Sequence, residues 1–384
     1  MNTFGRIFRV GIFGESHGAA IGCVLDGVPA GIELSESDFA SDIARRSPGS
    51  RGAQARGEKE LPNATTPRCE ADTPEILSGV YEGRTTGSPL AIIFRNSNTR
   101  SSDYAQFRDT PRPGHADYVA GVKWDGHNDP RGGGHFSGRI TLPLVAAGVV
   151  AKKALAAISK ADSRGLAANP APGLPANGTP TPAPDAASGL PANPAPASIP
   201  QPAAVPTISA ELIQIGGVSD RSIWPTLLED VRKQGDSLGG VVECTVNGLP
   251  VGLGEPFFDS VESVISHGIF SIPGVRGIEF GDGFRAAAMR GSEHNDPYGQ
   301  DGKPSKNGSG GINGGITNGS PLVFRVAFKP TSSIARAQSS WNFTESRMET
   351  LEIKGRHDVC FALRTPVIVE AVAAVALLDL LLIR

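Results

Sequence analysis

Five arginines in three places have the side-chain chemistry of an anion-binding site. Arg45, Arg46 and Arg51 surround a Pro-Gly pair. Arg112 lies in an Arg-Pro-Gly-His run and Arg139 in a Ser-Gly-Arg run. A guanidinium binds phosphate or carboxylate through paired N–H donors, each charge-assisted bond contributing roughly 1.5–3 kcal/mol. Cations also suit a helix C-terminus, which explains one of these arginines but not several leading into a flexible glycine loop. The set predicts a site for a multiply charged anion.

Two histidines, His17 and His115, lie in glycine-flanked loops beside acids or arginines. An imidazole near anionic ligands tends to stay protonated, so each is a candidate general acid. His357 and Asp358 form a third polar cluster, and residues 329–333 directly follow a predicted strand, where phosphate-binding loops commonly lie. The alternatives are a surface or core histidine and an ordinary polar turn. Taken together, the clusters favour an anion-binding enzyme site with imidazoles.

Glycine-rich loops accompany these side chains. The chain has 48 glycines in 384 residues, well above the usual share of roughly 7%. They gather at residues 14–18, 132–134, 281–283 and 310–315. Glycine permits positive φ and close backbone approach, so such loops can present N–H groups to an anionic ligand. A single cluster would favour a tight turn, whereas four near histidines and arginines favour a binding site.

The elements that must position these residues are both helical and extended. Ser35 and Asp38 predict a capping box that opens a helix ending before Pro48. Residues 142–160 have apolar residues at helical spacing, and residues 241–246 and 322–328 read as strands. The apolar stretch 366–383 carries two acids and predicts a buried C-terminal helix, with no membrane span. The predicted fold class is α+β.

Composition limits the classes of function. Hydrophobic residues make up 39% of the chain, enough for a sizeable core, and the net charge of −3 disfavours a nucleic-acid binder. Four dispersed cysteines predict neither a zinc or other metal site nor a disulfide framework. The N-terminus shows no secretory signal, so we expect a cytoplasmic protein.

One segment breaks the pattern of a folded domain. Residues 165–207 hold 12 of the 31 prolines and a single charged residue, Asp185. Such a composition buries too little apolar surface to offset the entropy of ordering it. A domain linker is the alternative, but the motifs on both sides are predicted to belong to one site. We therefore interpret residues 165–207 as a disordered Pro/Ala-rich insertion within one domain spanning residues 1–384.

The motifs occur together in an order that is similar to one family. In chain order they begin with Phe8-Arg9-Val10, Gly14-Glu15-Ser16-His17-Gly18, Arg45-Arg46 and Arg112-Pro113-Gly114-His115-Ala116-Asp117. They continue with Asp282-Gly283-Phe284, Gly314-Gly315-Ile316, Lys329-Pro330-Thr331 and Gly355-Arg356-His357-Asp358. The chain thus resembles the chorismate synthases from about residue 4 to residue 383, the insertion excepted.

This resemblance implies a fold and a reaction. The family has a β-α-β sandwich of helices between antiparallel sheets and forms homotetramers. Its members remove phosphate from 5-enolpyruvylshikimate-3-phosphate by an anti-1,4-elimination that gives chorismate. They use reduced FMN without net redox change, and bifunctional members reduce the flavin themselves with NADPH. NADPH is therefore an alternative reductant here.

The resemblance also implies roles for individual residues. His17, His115 and Asp358 are the implied catalytic residues. The implied substrate-binding residues are Arg45, Arg46, Arg51, Arg112 and Arg139. The implied flavin contacts are His135, Phe136, Ser137, Pro273, Gly274, Gly314, Lys329, Pro330, Thr331, Ser332, Ser333 and Arg356.

Two positions and one loop depart from the family pattern. His135 stands where many members have an arginine, and Ile140 where they have a glutamate, so the flavin contacts there are open. The loop after Arg51 is one residue shorter than in common members.

Two rival functions are less consistent with the sequence. A flavin oxidoreductase with net hydride transfer would need a nicotinamide site, and no Gly-x-Gly-x-x-Gly opens a βαβ unit. An idle anion-binding scaffold would not need His17, His115 and Asp358 together.

Overall fold

The computed structural model describes residues 2–58, 61, 64–66, 70–97, 101–162, 205–300, 302–353 and 357–384. Within these ranges the α-helices are α1 (Ala40–Arg46), α2 (Gly49–Arg56), α3 (Asp117–Lys123), α4 (Thr141–Asp162), α5 (Trp224–Lys233), α6 (Val261–Ile269), α7 (Gly291–His294) and α8 (Pro366–Ile383). Short 3₁₀ turns lie at Glu36–Phe39, Ser101–Arg108, Arg131–Phe136, Gly138–Ile140, Phe257–Asp259, Gly283–Ala288 and Phe361–Arg364.

The strands are numbered in chain order over the same ranges. The first seven are β1 (Thr3–Phe4), β2 (Arg9–Gly14), β3 (Ala20–Asp26), β4 (Glu75–Ser78), β5 (Val80–Tyr81), β6 (Arg84–Thr85) and β7 (Leu90–Arg95). The others are β8 (Thr207–Ile215), β9 (Gly240–Asn247), β10 (Val275–Phe280), β11 (Ile312–Asn313), β12 (Ile316–Thr317), β13 (Leu322–Phe328), β14 (Gln338–Asn342) and β15 (Arg347–Leu351).

Two antiparallel sheets form the frame of the molecule. The first has five strands in the order β1-β2-β3-β7-β4, and the second has four in the order β10-β13-β9-β8. In β13 the side chains of Leu322, Phe324, Val326 and Phe328 are buried while the residues between them are half-buried. This alternation is what the sequence predicts for a strand with one face on the core. Helices and antiparallel sheets together confirm the α+β class.

Two long apolar helices, α4 and α8, pack on each other and link the sheets. Helix α4 contacts β3 and β7 of the first sheet, and α8 contacts β8 and β9 of the second. A Cβ placed on Gly148 would lie 2.2 Å from the Cβ of Ala371, so this glycine allows the helices to cross closely. The sheets and this helix pair share two adjoining apolar cores.

The same two helices pass a length and composition test for membrane spans. The tested segments are Gly138–Lys160 and Pro366–Ile383, and 72% and 78% of their apolar windows are buried inside the molecule. A helix that is apolar on all sides and covered on all sides is typical of a protein core. Both segments therefore act here as core helices.

The two acids of α8 are tied to distant parts of the chain. The Asp379 carboxylate accepts the backbone N–H groups of Arg6, Ile7 and Phe8 at 2.8, 2.7 and 2.9 Å. The Glu370 carboxylate accepts two hydrogen bonds from Arg45, at 2.6 and 2.8 Å. A buried carboxylate needs such partners, so both acids fix the helix to its neighbours.

Two sequence predictions change at their boundaries. Residues 49–56, expected as a flexible loop, form α2, which ends at Gly57 in the left-handed conformation. Thr207 is the first residue of β8 and pairs with Asn247, so it belongs to the sheet. The rest of the predicted insertion lies outside the described residues, except Val205 and Pro206.

Candidate active site

One cavity of about 540 Å³ gathers most of the predicted site residues. The cavity is lined by the loop after β2 in the first sheet, the loop after β13 in the second sheet, and the residues just before α4. The predicted residues that line it are His17, His115, Asp358, Arg46, Arg51, Arg112, Arg139, Phe136, Ser137, Pro273, Gly274, Lys329, Pro330, Thr331, Ser332 and Ser333. Residues from positions 17 to 358 thus converge on a single pocket.

Three predicted residues within the described ranges do not line the cavity, and a fourth lies outside those ranges. Arg45 turns from it to the buried Glu370 carboxylate, since adjacent helical residues point about 100° apart. His135 directs Nδ1 to the carbonyl of Gly14 at 2.8 Å. Gly314 lies in the turn between β11 and β12, and Arg356 lies outside the described residues.

A glycine turn lies close to both predicted catalytic imidazoles. Gly132 and Gly133 have φ of 61° and 80°, in the left-handed region. A Cβ on Gly132 would lie 2.1 Å from Nδ1 of His17, and a Cβ on Gly133 would lie 3.4 Å from Nε2 of His115. Any side chain at Gly132 would displace His17. The missing side chains therefore let the backbone approach both rings closely.

His115 belongs to a buried charged cluster with Arg112 and Asp117. The Asp117 carboxylate accepts from Nε and Nη2 of Arg112, both at 2.8 Å, and lies 2.7 Å from Nδ1 of His115. Burial lowers the pKa of His115, and the charge of Arg112 adds to this, whereas Asp117 opposes it. From the sequence we expected anions to keep this ring protonated. Two of its charged neighbours, Arg112 and Lys329, are instead cations, which disfavour the protonated ring.

The deepest arginines, Arg46 and Arg139, share a buried acid. The Asp72 carboxylate lies 3.4 Å from Nη1 of Arg46 and accepts from Nη1 of Arg139 at 2.8 Å. Glu70 pairs with Nη2 of Arg139 at 3.1 Å. Burial, followed by the charge of Arg364, lowers the pKa of Arg46 to about 9, which leaves it charged at neutral pH. Both guanidinium groups are therefore held in place beside the cavity.

The loop after β13 forms another wall. Nζ of Lys329 donates to the Gly114 carbonyl at 2.6 Å, and the Ser332 hydroxyl donates to the same oxygen at 2.8 Å. Burial, followed by the charge of Arg276, lowers the pKa of Lys329. The Oγ1 atom of Thr331 is buried and has no hydrogen-bond partner among the described residues. The loop thus places a cation at the cavity wall.

Asp358 lies next to Arg364. Its carboxylate accepts from Nη2 of Arg364 and from the backbone N–H of Thr66, each at 2.9 Å. The Nε atom of Arg364 is buried without a hydrogen-bond partner in the described part of the chain. Burial, followed by the charge of Arg112, lowers the pKa of His357 to about 4, so this ring is neutral near pH 7. These groups complete the polar lining.

Several polar residues of the site were missed from the sequence. They are Glu70, Asp72, Asp117, Arg276 and Arg364. Asp117 stands at the end of the motif that contains His115, which was a usable signal. The acids Glu70 and Asp72 pair with arginines that are far away in sequence, and no local pattern marks them.

The chemistry of this cavity defines a class of protein. Binding an anion requires cations, whereas two imidazoles and a buried carboxylate in the same cavity are the groups of proton transfer. Together with the α+β fold they define an enzyme that acts on a multiply charged anion.

Comparison with known proteins identifies the family. The chorismate synthase family model matches residues 8–382. The chain is 49% identical over 385 residues to the chorismate synthase of Chitinophaga pinensis, covering 100% of this chain and 97% of the relative. It is 43% identical over 384 residues to that of Korarchaeum cryptofilum, covering 98% and 96%. A crystal structure of chorismate synthase matches with a TM-score of 0.64 at 25% identity, covering 98% of this chain and 92% of that one. The chain belongs to the chorismate synthase family, carbon–oxygen lyases of the shikimate pathway.

Proposed function

We propose that this cavity carries out the anti-1,4-elimination of phosphate from 5-enolpyruvylshikimate-3-phosphate, giving chorismate with reduced FMN and no net redox change. One observation carries the proposal. His17, His115 and Asp358 line the same cavity as four predicted substrate arginines and the loop of residues 329–333. A substrate with one phosphate and two carboxylates needs several cations at once, and this cavity supplies them.

The cations divide into two groups for this substrate. Arg46 and Arg139 are buried and held by Asp72, so their remaining N–H groups have a fixed direction. Arg51 is exposed, and within the described ranges its guanidinium donates to the carbonyl of Ala71 at 3.3 Å. Arg364, which is paired with Asp358, adds a further guanidinium to the lining. The proposed substrate set is Arg46, Arg51, Arg112 and Arg139, and Arg45 is left out because Glu370 holds it.

The cavity also suits a flavin. Phe136 is 40% exposed and offers an aromatic face at the cavity wall. The ammonium of Lys329, at the cavity wall, suits the phosphate of FMN. The proposed flavin contacts are Phe136, Ser137, Pro273, Gly274 and residues 329–333. When bound, reduced FMN would supply electron density that assists the departure of the allylic phosphate, with no net redox change.

The three proposed catalytic residues handle protons around these ligands. His115 would protonate the departing phosphate, and His17 would hydrogen-bond or protonate the reduced flavin. Asp358 would assist proton movement at the flavin. Asp358 is fixed for this role by Arg364 and by the backbone of Thr66.

The wider assembly follows the family in this proposal. The helix pair α4 and α8, with one sheet in contact with each helix, supports the β-α-β sandwich. We further propose a cytoplasmic homotetramer that binds neither nucleic acid nor membrane. Light scattering of the purified chain tests the assembly, and a monomer at working concentration would contradict it.

An anaerobic assay tests the reaction. Purified protein is given 5-enolpyruvylshikimate-3-phosphate and chemically reduced FMN, and phosphate and chorismate are measured together. We expect equal amounts of both, many turnovers per flavin, and no product with oxidised FMN alone. Adding NADPH to oxidised FMN shows whether the chain reduces its own flavin. Consumption of one NADPH per product would instead indicate net hydride transfer, and the absence of phosphate release would refute the proposal.

A further inference from the structure

We propose that Asp117 is a positioning residue that fixes the ring orientation and tautomer of His115, so that Nε2 is the nitrogen that delivers a proton to the departing phosphate. The inference rests on the proposed function and deepens it, because it names the ring nitrogen of His115 that would deliver a proton to the phosphate. The proposed function gives roles to His115 and Arg112 of this cluster and none to Asp117.

The first step concerns the Nδ1 atom of His115. It lies 2.7 Å from Oδ1 of Asp117 and 3.1 Å from Nη2 of Arg112. A guanidinium only donates, so the two contacts require opposite forms of Nδ1. The contact with Asp117 is shorter and joins a carboxylate, and Nη2 of Arg112 already donates to the same Oδ1 at 2.8 Å. Nδ1 therefore carries a proton and donates it to Asp117.

The second step concerns Asp117 itself. Its side chain is 6% exposed, and Nε and Nη2 of Arg112 bind both of its oxygens. This paired geometry fixes the carboxylate plane, and Arg112 is in turn held by the Ser333 hydroxyl at 2.9 Å. Hydrogen bonding to Arg112, together with its charge, holds the pKa of Asp117 far below its usual range despite burial. Asp117 thus remains a carboxylate acceptor at every working pH.

The third step concerns the other ring nitrogen. With Nδ1 bound to Asp117, Nε2 is the atom left for a ligand, and it faces the bare backbone at Gly133, where a Cβ would lie 3.4 Å away. Lys329 and Ser332 bind the Gly114 carbonyl, so the backbone before His115 is anchored as well. When the proton on Nε2 passes to a phosphate oxygen, the electron pair stays on Nε2. The neutral ring that remains is still bonded to Asp117 through Nδ1–H.

Histidine NMR tests this inference without any turnover. In protein labelled with ¹⁵N-histidine, the signals of His115 are identified by their loss in His115→Gln. We expect the neutral ring in the wild-type protein to be the Nδ1–H tautomer. A dominant Nε2–H tautomer would overturn the inference, whether or not any Asp117 variant folds.

The Asp117→Asn variant adds a second test. An amide cannot accept from Arg112 twice and from His115 as well, so the fixed tautomer should be lost. Asp117 is the neighbour that raises the pKa of His115, whereas burial, Arg112 and Lys329 lower it. The titration of His115 should therefore move to lower pH, and the alkaline limb of the kcat profile should move with it. We expect kcat to fall by roughly 10²-fold, within the range that a positioned acid contributes.

A matched control separates this effect from a general loss of charge. Asp109→Asn removes an exposed carboxylate of the same segment that accepts from the Thr344 hydroxyl at 2.7 Å and does not line the cavity. It should leave the His115 signals and the kcat profile unchanged. An unchanged tautomer and titration in Asp117→Asn would refute the inference. If the wild-type protein released no phosphate, the proposed function would fail while the NMR result still decided the role of Asp117.

Discussion

The network around Glu370 allows a stability prediction to be worked out from distances. Glu370→Gln removes a charge whose side chain is 4% exposed and which binds Arg45, Lys152 at 2.9 Å and the backbone N–H of Ala210 at 3.0 Å. Removing one member of a buried ion pair costs roughly 3–5 kcal/mol. The cations retain Asp42, at 3.3 Å from Arg45 and 2.9 Å from Lys152, and each is 27% exposed. We therefore expect the lower limit, about 3 kcal/mol.

Urea denaturation measures this loss. The midpoint should fall while the slope m stays the same, because the variant changes stability and not the surface exposed on unfolding. The matched control is Glu229→Gln, which removes an equally short pair with Arg232 at 2.7 Å on the surface and should leave the midpoint unchanged. A loss below about 1 kcal/mol in Glu370→Gln would refute the reasoning.

Activity measurements on the same network decide the role of Arg45. Arg45→Met should lower stability and leave KM for 5-enolpyruvylshikimate-3-phosphate unchanged, because its guanidinium faces Glu370 and not the cavity. In the Glu370→Gln background the same substitution should cost much less than it does alone. A raised KM in Arg45→Met would return Arg45 to the substrate-binding set.

Three further predictions concern the cavity. Gly132→Ala should lower turnover because its Cβ would strike His17, whereas Gly31→Ala, also at positive φ but with open space around its Cβ, should not; equal activities would contradict the role of the glycine turn. His17→Ala and His115→Ala should each lower kcat by roughly 10²–10⁴-fold with the melting temperature kept, and near-normal kcat would remove that residue from the mechanism. Because the pKa of His357 is lowered in the folded state, the unfolded state takes up a proton at this histidine at higher pH than the folded state does. The free energy of unfolding should therefore be full above about pH 6.5 and fall towards pH 4, as measured by urea midpoints. His357→Gln should weaken this fall, and an identical pH dependence in the variant would refute the prediction.

Much of the fold was predictable because its signals are local. The strand at residues 322–328 and the helix at 366–383 match the structure at both ends, since each carries a strong apolar pattern. Helix α2 was missed because its sequence contains two glycines and lacks an apolar face. It is stabilised by contacts that no local pattern shows, such as Nη1 of Arg56 donating to the carbonyls of Arg45 and Ser47 at 2.8 and 3.0 Å.

The site was predictable in its cations and imidazoles but not in its acids. The motifs named most of the residues that meet in the cavity. The motifs did not show that Arg46 lines the cavity and Arg45 does not. Neighbouring residues of a helix point in different directions, and only the tertiary structure decides which of them faces the cavity. Asp72 binds Arg46 and Arg139, which are 26 and 67 residues away in sequence. Such pairs become visible only when the chain has folded.

The balance of charge in the cavity explains how a protein of net charge −3 can attract an anion. Seven cations and three carboxylates are found among the described lining residues. The carboxylates hold the buried arginines and thereby fix the geometry, whereas Arg51, Arg276 and Lys329 have no carboxylate within 4 Å in the described part of the chain. Charges farther than roughly 8–10 Å are screened at physiological salt, so an incoming anion experiences this local excess and not the net charge of the protein. We therefore expect the fixed inner arginines to orient the anion, and Arg51, Arg276 and Lys329 to supply its attraction.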